Sequence, residues 1–288
     1  MKDLIKKFTS KEQRHQACSL YQLFMEKMGV FFGFFLNLLP TGIKIFLKNY
    51  IKIHKPLDYY KEKIVIDVSS AIEMSVRTRS CAKEPETVQW IETFKKGDVF
   101  WDIGANIGAY SLVAAKYHQG SVPVYAIEPS FLNFAQLCKN IALNKCDDII
   151  TPFNIALSEK TQVGRFNYQN LDTGGALHTF GKAIDFKKEE FISVFQQHLM
   201  SFRADDLVAM FSLPLPTHIK LDVDGIELEI LQGASQVLSK VQSILLEIGD
   251  DDVQLLNYMI ELGFKLDKRY SMAPGINFAN CIFTKRVV

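Results

Sequence analysis

An α/β fold, with a mainly parallel seven-stranded sheet and helices on both faces, is what this 288-residue sequence predicts. Three observations predict it. From Asp98 onward, short apolar runs alternate with amphipathic stretches of about 10–15 residues, the pattern of repeated βαβ units. Acids and glycines punctuate the ends of the apolar runs, where ligands bind in such sheets. The chain is long enough to bury a core without a disulfide or metal staple, and 48% hydrophobic with 23% charged residues is ordinary for a globular protein.

The N-terminal fifth differs from the rest. Residues 1–61 carry 11 Lys+Arg against 4 Asp+Glu, a balance of +7, and the remainder carries 22 against 28, a balance of −6. This shift divides the chain into a basic helical segment, 1–61, and a domain over 62–288. The run Met28–Leu39 is uncharged, but its twelve residues fall short of the roughly 20 that a bilayer span needs. From Ile43 to Lys55 the spacing predicts a helix with Lys44, Lys48, Lys52 and Lys55 on one face. Ile43, Phe46, Leu47, Tyr50 and Ile51 share the other face. Residues 28–55 could therefore pack as a cap, contact an anionic membrane peripherally, or form a homodimer surface. No secretory signal is evident, and the five cysteines form no C-x-x-C pair. They read as free thiols in a reducing compartment, which predicts a cytoplasmic protein, peripheral to a membrane if the basic helix binds one.

In the domain, Ile64–Val68 and Met74–Thr78 read as two short strands, a hairpin bridged by Ser69–Ala71. Glu86–Phe94 reads as a helix leading into the core. The seven sheet strands are expected at Val99–Ile103, Val122–Ile127, Ile149–Ile155, Ile219–Val223, Ser243–Ile248, Phe264–Asp267 and Asn280–Thr284. Helices are expected at Ile107–Tyr117, Phe131–Asn144, Ile226–Leu238 and Val253–Leu262. The stretch Gly181–Leu199 reads as an insertion.

The chemistry concentrates at three strand ends. In Val99-Phe-Trp-Asp-Ile-Gly-Ala-Asn-Ile-Gly108 an apolar strand ends in Asp102, and Gly104, Asn106 and Gly108 turn the chain into a helix. The G-x-x-x-G spacing is not the G-x-G-x-x-G pyrophosphate fingerprint, which argues against a nicotinamide oxidoreductase. It suits a ligand with an amino-acid end, whose ammonium needs a carboxylate and whose carboxyl needs backbone N–H groups. Next, Ala126-Ile-Glu-Pro129 puts an acid, Glu128, where a ribose diol could donate to it. Third, Lys220-Leu-Asp-Val-Asp-Gly-Ile-Glu227 brings Asp222 and Asp224 to a strand end, with Glu227 opening a helix. These acids could act as a base or positioning group, cap the following helix, or, with Glu247, hold a divalent metal. The metal is the weakest of these readings. His178, His198 and His218 are weaker candidates for a base. Asp172-Thr-Gly-Gly175 reads as a flexible loop able to close over substrate.

The segments DIGANIGAYS, AIEPS, FNIALSEK, IKLDVDGIELEILQGA and ILLEI, in this order, resemble the FkbM family of methyltransferases dependent on S-adenosylmethionine (SAM). The resemblance covers roughly residues 84–247, with an echo at 278–283. It implies a class I methyltransferase, Rossmann-like fold for 62–288, SAM as cofactor, and O-methylation of a hydroxyl on a sugar, glycolipid or secondary metabolite. It also implies that Asp102, Gly104, Ala105, Asn106, Gly108, Glu128 and Pro129 line the cofactor site. Asn154–Leu157, with Asn154 and Ala156, would approach the adenine. Phe131 stands where the family often has Pro, and Phe202-Arg-Ala-Asp205 only loosely matches the usual Thr-Leu-Asp. N-methylation and a SAM-binding adaptor with degenerate catalysis are the alternatives. The acceptor expected is a small molecule or glycan, and no nucleic acid, because the basic residues cluster away from the acidic core.

Overall fold

Strands whose alternate side chains feed two opposite helical layers organise the larger part of the molecule. The computed structural model describes residues 11–184, 189–223, 225–249, 252–271 and 278–285. The chain divides into two compact units, Met1–Lys52 and Ile53–Val288.

In the first unit, helix α1 spans Lys11–Asn37 and α2 spans Thr41–Tyr50. Pro40 sits between them in an extended conformation (φ −54°, ψ 144°). A proline disfavours helix in the residue before it, which stops α1 there. The expected basic helix is shorter than its sequence spacing suggests. It ends at Tyr50, with Ile51 extended, so Lys44 and Lys48 lie on it while Lys52 and Lys55 do not. No helix among the described residues is long and apolar enough to cross a membrane.

The second unit opens with an antiparallel pair, β1 (His54–Pro56) and β2 (Val65–Asp67). The predicted second hairpin strand, Met74–Thr78, is instead helical. Helix α3 spans Ala71–Ser75, a 3-10 turn covers Arg77–Arg79, and α4 spans Ser80–Lys83. The reason is local. Ser70 and Glu73 form a reciprocal capping box, an S-x-x-E signal that overrides the β-forming Val76 and Thr78. Helix α5 follows at Pro85–Ile91, with Pro85 in the first turn, where its missing N–H costs nothing.

Then the α/β alternation begins: β3 (Phe100–Ile103), α6 (Ala109–Tyr117), β4 (Val124–Ile127), α7 (Phe131–Asn144) and β5 (Ile150–Phe153). Four strands follow that the sequence reading missed: β6 (Ala156–Leu157), β7 (Gln162–Tyr168), β8 (Thr179–Phe180) and β9 (Phe195–Phe202). They form their own sheet in the order β6-β9-β7-β8. The expected insertion thus contributes part of β9 to a sheet. Next come α8 (Ala204–Phe211), β10 (His218–Leu221), α9 (Glu227–Gln232), α10 (Ser235–Leu238), β11 (Ser243–Gly249), α11 (Val253–Glu261), β12 (Phe264–Ser271) and β13 (Phe278–Lys285). The helix expected over Ile226–Leu238 breaks at Gly233, where the backbone passes so close to a distant segment that a Cβ would come within 2.3 Å of the Ser158 carbonyl oxygen. Asp205 caps the second piece, accepting from Gln236 N and Val237 N at 3.2 and 2.9 Å.

The main sheet has seven strands in the order β12-β13-β11-β10-β3-β4-β5. β10 is parallel to β11 and β3, and β3–β4–β5 are parallel, while β13 is antiparallel to both neighbours. This order, with its reversed seventh strand, is the class I methyltransferase, Rossmann-like architecture. One face buries Phe100, Val124 and Leu245 against Trp90, Leu112 and Leu137. The other buries Trp101, Ile219 and Leu246 against Leu207, Leu231 and Met259. In the pairing of β10 with β3, Lys220 falls beside Asp102. Partners in register point to the same face, so a lysine and an aspartate lie side by side among apolar residues.

Ser70 also donates from its hydroxyl to the Thr173 carbonyl at 2.7 Å. Replacing it by Ala removes the cap and this tie, and we expect a loss of about 1–2 kcal/mol of stability, read as a lower denaturation midpoint. An unchanged midpoint would contradict the capping account.

Candidate active site

The carboxyl ends of β3, β4 and β10 converge with the turn after β2, and the site's charges are organised around Lys220. Its side chain is 2% exposed, and Nζ lies 2.6 Å from Asp222 Oδ2. Burial pulls this ammonium's pKa down, but Asp222, Glu84 and Asp102 more than reverse that and hold it protonated. Nζ also sits 5.0 Å from the centre of the Tyr110 ring. Burial pushes the Asp222 carboxyl up. Lys220, followed by Lys83 and Arg77, outweighs that and leaves it below the usual carboxylate range. Asp102 is 1% exposed. Its Oδ2 accepts from Ser111 Oγ on α6 at 2.5 Å, while the buried Oδ1 has no hydrogen-bond partner among the described residues. Burial raises its carboxyl above the ordinary value, against the pull of Lys220 and Ser111.

The glycines of the β3–α6 loop serve the protein's own packing. Gly104 has φ +80°, and a Cβ on it would lie 1.9 Å from the Asp222 carbonyl oxygen. Gly108 has φ +86°, and a Cβ there would meet Leu137 Cδ1 at 2.4 Å. Gly104 N and Ala105 N both donate to the Ile127 carbonyl, at 2.9 and 3.1 Å, which ties the loop to the end of β4. Asn106 takes a left-handed φ of 51°, a conformation asparagine tolerates better than most residues. Its backbone N–H donates to Glu128 Oε2 at 2.7 Å.

Glu128 is 5% exposed, and its other oxygen accepts from Ser130 N at 2.9 Å. Burial raises its carboxyl to about 7 against these two donors. Asn154 Nδ2 donates to the Glu128 and Pro129 carbonyls at 2.9 and 3.0 Å, joining the ends of β4 and β5. Ala156 is buried in β6, opposite Ser201.

The loop Asp172–Gly175, expected to be flexible, is held at several points. Gly175 O accepts from Asn106 Nδ2 and Asn133 Nδ2 at 2.9 and 3.0 Å. Gly174 N donates to Asn133 Oδ1 at 2.8 Å, and Gly174 O accepts from Arg77 Nε at 2.8 Å.

The structure thus gathers Asp102, Gly104, Ala105, Asn106, Gly108, Glu128, Pro129, Asn154 and Asp222 at one end of the sheet. Asp224 lies outside the described residues. Glu227 accepts from Gly225 N at 3.2 Å, and Glu247 pairs with Asn280 across β11 and β13. Among the described residues no group of three or more His, Cys, Asp or Glu could hold a metal ion. The histidines do not assemble around Asp222. His218 starts β10, at the opposite end of the sheet, between Ser243 Oγ (2.8 Å) and Asp98 Oδ2 (3.0 Å). His198 is exposed on β9. His178 is buried, and burial followed by the Arg77 charge lowers its imidazole to about 4.

Sequence reasoning missed Arg77, Lys83, Glu84 and Tyr110, which line a cleft with Lys220 and Asp222. Lys220 carried a readable signal: it is a lysine between Ile219 and Leu221 in an apolar strand, two residues before Asp222. The others carried none: Arg77 lies in the segment read as a strand, Lys83 and Glu84 in the junction between two short helices, and Tyr110 on a helix face.

The arrangement suits a ligand with an amino-acid end and a ribose. It offers a buried carboxylate oxygen without a partner among the described residues, a second buried carboxylate one strand away, and a cleft lined by Arg77 and Lys83 beside the Lys220–Asp222 pair.

A family model described as the methyltransferase FkbM domain matches residues 102–266. The chain is 25% identical over 181 residues to the hexuronic acid methyltransferase AglP of Haloferax volcanii, covering 62% of this chain and 67% of that one. It is 37% identical over 60 residues to the ribosomal protein L11 methyltransferase of Bacillus cytotoxicus, or 21% of this chain and 19% of the relative. A solved structure of an FkbM methyltransferase from Methylobacillus flagellatus aligns with a TM-score of 0.47 at 19% identity, over 66% of this chain and 44% of that one. The chain therefore spans less than half of that protein.

Two glycines separate backbone strain from close approach. Gly97 also has a positive φ, +92°, but nothing lies within 4 Å of a Cβ there. Gly97→Ala should cost about 1 kcal/mol from its φ alone. Gly104→Ala adds a collision with the Asp222 backbone and should cost about 3 kcal/mol or more. Equal losses in chemical denaturation would mean that the β3 loop does not press on Asp222.

Proposed function

The chain belongs to the FkbM methyltransferase family, and from that premise we propose that it uses SAM to methylate a hydroxyl on a sugar or glycolipid. The observation that carries the SAM reading is the buried Asp102 Oδ1, without a partner among the described residues, one strand from the buried carboxylate of Glu128. The likeness to a hexuronic acid methyltransferase supports a sugar acceptor. The alternatives of N-methylation and degenerate catalysis draw support from none of the side chains described above.

When bound, SAM supplies a methyl group made electrophilic by its sulfonium sulfur. The protein's part is to bind, orient and manage one proton. Asp102 holds the ammonium of the amino-acid end, and Arg77 and Lys83 offset the carboxyl. Glu128 accepts from the ribose diol. Asn154 holds the Glu128 and Pro129 carbonyls in place, and the backbone from Asn154 to Ala156 borders the adenine. Asp222, kept ionised by Lys220, accepts a hydrogen bond from the acceptor hydroxyl and aims its oxygen at the methyl carbon. Oriented encounter is worth several kcal/mol in such displacements. Its lowered pKa makes Asp222 a weak proton acceptor, so its part is chiefly orientation, and the proton passes to solvent as the new bond forms. We keep Asp224 as a second candidate beside it.

The Glu128 carboxyl yields a pH prediction. Its folded pKa, about 7, lies above the ordinary 4.5, so its contribution to stability is full below about 4.5 and is lost as the pH rises through about 7. A ribose diol donates to the ionised form. SAM affinity should therefore rise with pH up to about 7 and level off above it, and Glu128→Gln should flatten that profile. Glu128→Ala should weaken binding by about 1.5–3 kcal/mol. Calorimetry with SAM across this pH range checks all three, and a flat wild-type profile with unchanged affinity in Glu128→Ala would remove Glu128 from the site.

Asp222→Asn should still bind SAM and lose about tenfold to a thousandfold in turnover. A methyl-transfer assay against uronic acid and neutral sugar acceptors reads this. A loss under tenfold would leave Asp222 a structural partner of Lys220, and no SAM binding in the wild type would overturn the functional reading altogether.

A further inference from the structure

We infer that residues 23–51 dock the protein on an anionic lipid bilayer by inserting into one leaflet. The first observation is exposure. Val30 is 76% exposed, Phe34 62%, Leu38 69%, Phe46 61% and Tyr50 73%. Large apolar side chains this exposed are ordinary singly, but a contiguous set marks an interaction surface.

The second observation is how they are distributed. Val30, Phe31, Phe32, Phe34, Phe35 and Leu36 are all at least 46% exposed, and at about 100° per residue they spread over about 240° of the helix circumference rather than along one stripe. A packed protein partner covers one side of a helix. Such a partner, a second copy of this chain included, would leave the apolar side chains at one edge of that arc, Val30 or Leu36, in water. Hydrocarbon covers every side.

Length and charge then set the mode. Met28–Leu39 is uncharged, and its helical part, which ends at Asn37, rises about 15 Å, short of the roughly 30 Å hydrocarbon layer, with Pro40 following. The segment can therefore enter but not cross. Between Leu23 and Ile51 the acids and bases are Glu26, Lys27, Lys44 and Lys48. The lysines flank the apolar run at both ends, where long stems let ammonium groups reach headgroup phosphates. Lys52 follows directly, and residues 1–22 add net positive charge by sequence. A positive rim around an apolar centre complements an anionic membrane surface.

The test is flotation of the full chain with vesicles of phosphatidylcholine alone or with added phosphatidylglycerol. Light scattering on the vesicle-free protein accompanies it. Expected is flotation with the phosphatidylglycerol vesicles, weakened but not abolished by high salt. Phe31→Ser/Phe34→Ser/Phe35→Ser should lose flotation by at least about tenfold while keeping the wild-type melting transition. Lys44→Gln/Lys48→Gln should lose about fivefold per lysine on anionic vesicles and little on neutral ones. A full chain that stays in the dense fractions with both vesicles, as a monomer or as a discrete dimer, would overturn the inference. So would flotation that survives the triple Phe substitution.

Discussion

A lysine ammonium buried in an apolar sheet is the constraint on which the rest of this site depends. Removing an ion from water costs several kcal/mol even after relaxation, and only close, well-oriented counter-charges offset it. Lys220 stands in the middle strand of the sheet, between Leu245 of β11 and Asp102 of β3. Register places one carboxylate beside it, and the strand's own continuation supplies the second, Asp222, at 2.6 Å. Glu84 adds a third negative charge from the start of α5. Lys83 pairs with Glu84 at 2.9 Å and Arg77 lines the same cleft, so three bases face the three acids, and the acceptor left over for a ligand is the second oxygen of Asp102.

Packing carries the constraint outward. Asp222 sits where its carbonyl touches Gly104, so the β3 loop can have no side chain at that point. The loop then passes through Asn106, whose backbone N–H is held by Glu128, and whose side chain holds Gly175. One continuous set of contacts thus runs from Lys220 to the carboxylate of the next strand and on to the Asp172–Gly175 turn. The same set leaves Asp102 half satisfied. A buried acceptor without a partner carries a standing cost of about 1–3 kcal/mol, which a bound donor would relieve. We read that cost as the site's preparation for its ligand.

Most of the α/β core was legible in the sequence, because each strand is an apolar run closed by an acid or glycine and each helix has its own period. The seven main strands fall within a few residues of their predicted positions. What was not legible has identifiable causes. Met74–Thr78 has β-forming residues, yet the Ser70–Glu73 box decides it. The helix after β10 has an unbroken period, but Gly233 must pass against the Ser158 carbonyl, a contact with a distant segment. The four-stranded sheet of β6–β9 escaped because strands such as Gln162–Tyr168 are exposed at one end and buried at the other, which blurs the alternation. In the site, Asp102, Glu128 and Asp222 were readable as strand-end acids. Arg77 and Tyr110 were not, since only the fold brings a turn and a helix face to the same cleft. The glycines were read as turning the strand into the helix, and at Gly104 and Gly108 they also make room for Asp222 and Leu137.

The most direct test of this account is the coupling free energy between Lys220 and Asp222, from a double-mutant cycle of Lys220→Met and Asp222→Asn followed by chemical denaturation. If Lys220 is the charge the site is built around, Lys220→Met alone should destabilise by about 3–5 kcal/mol. The double substitution should then cost at least about 1 kcal/mol less than the sum of the two singles. Strict additivity of the two substitutions, with a small loss from Lys220→Met, would show that the acids hold their places without the lysine and would contradict the account.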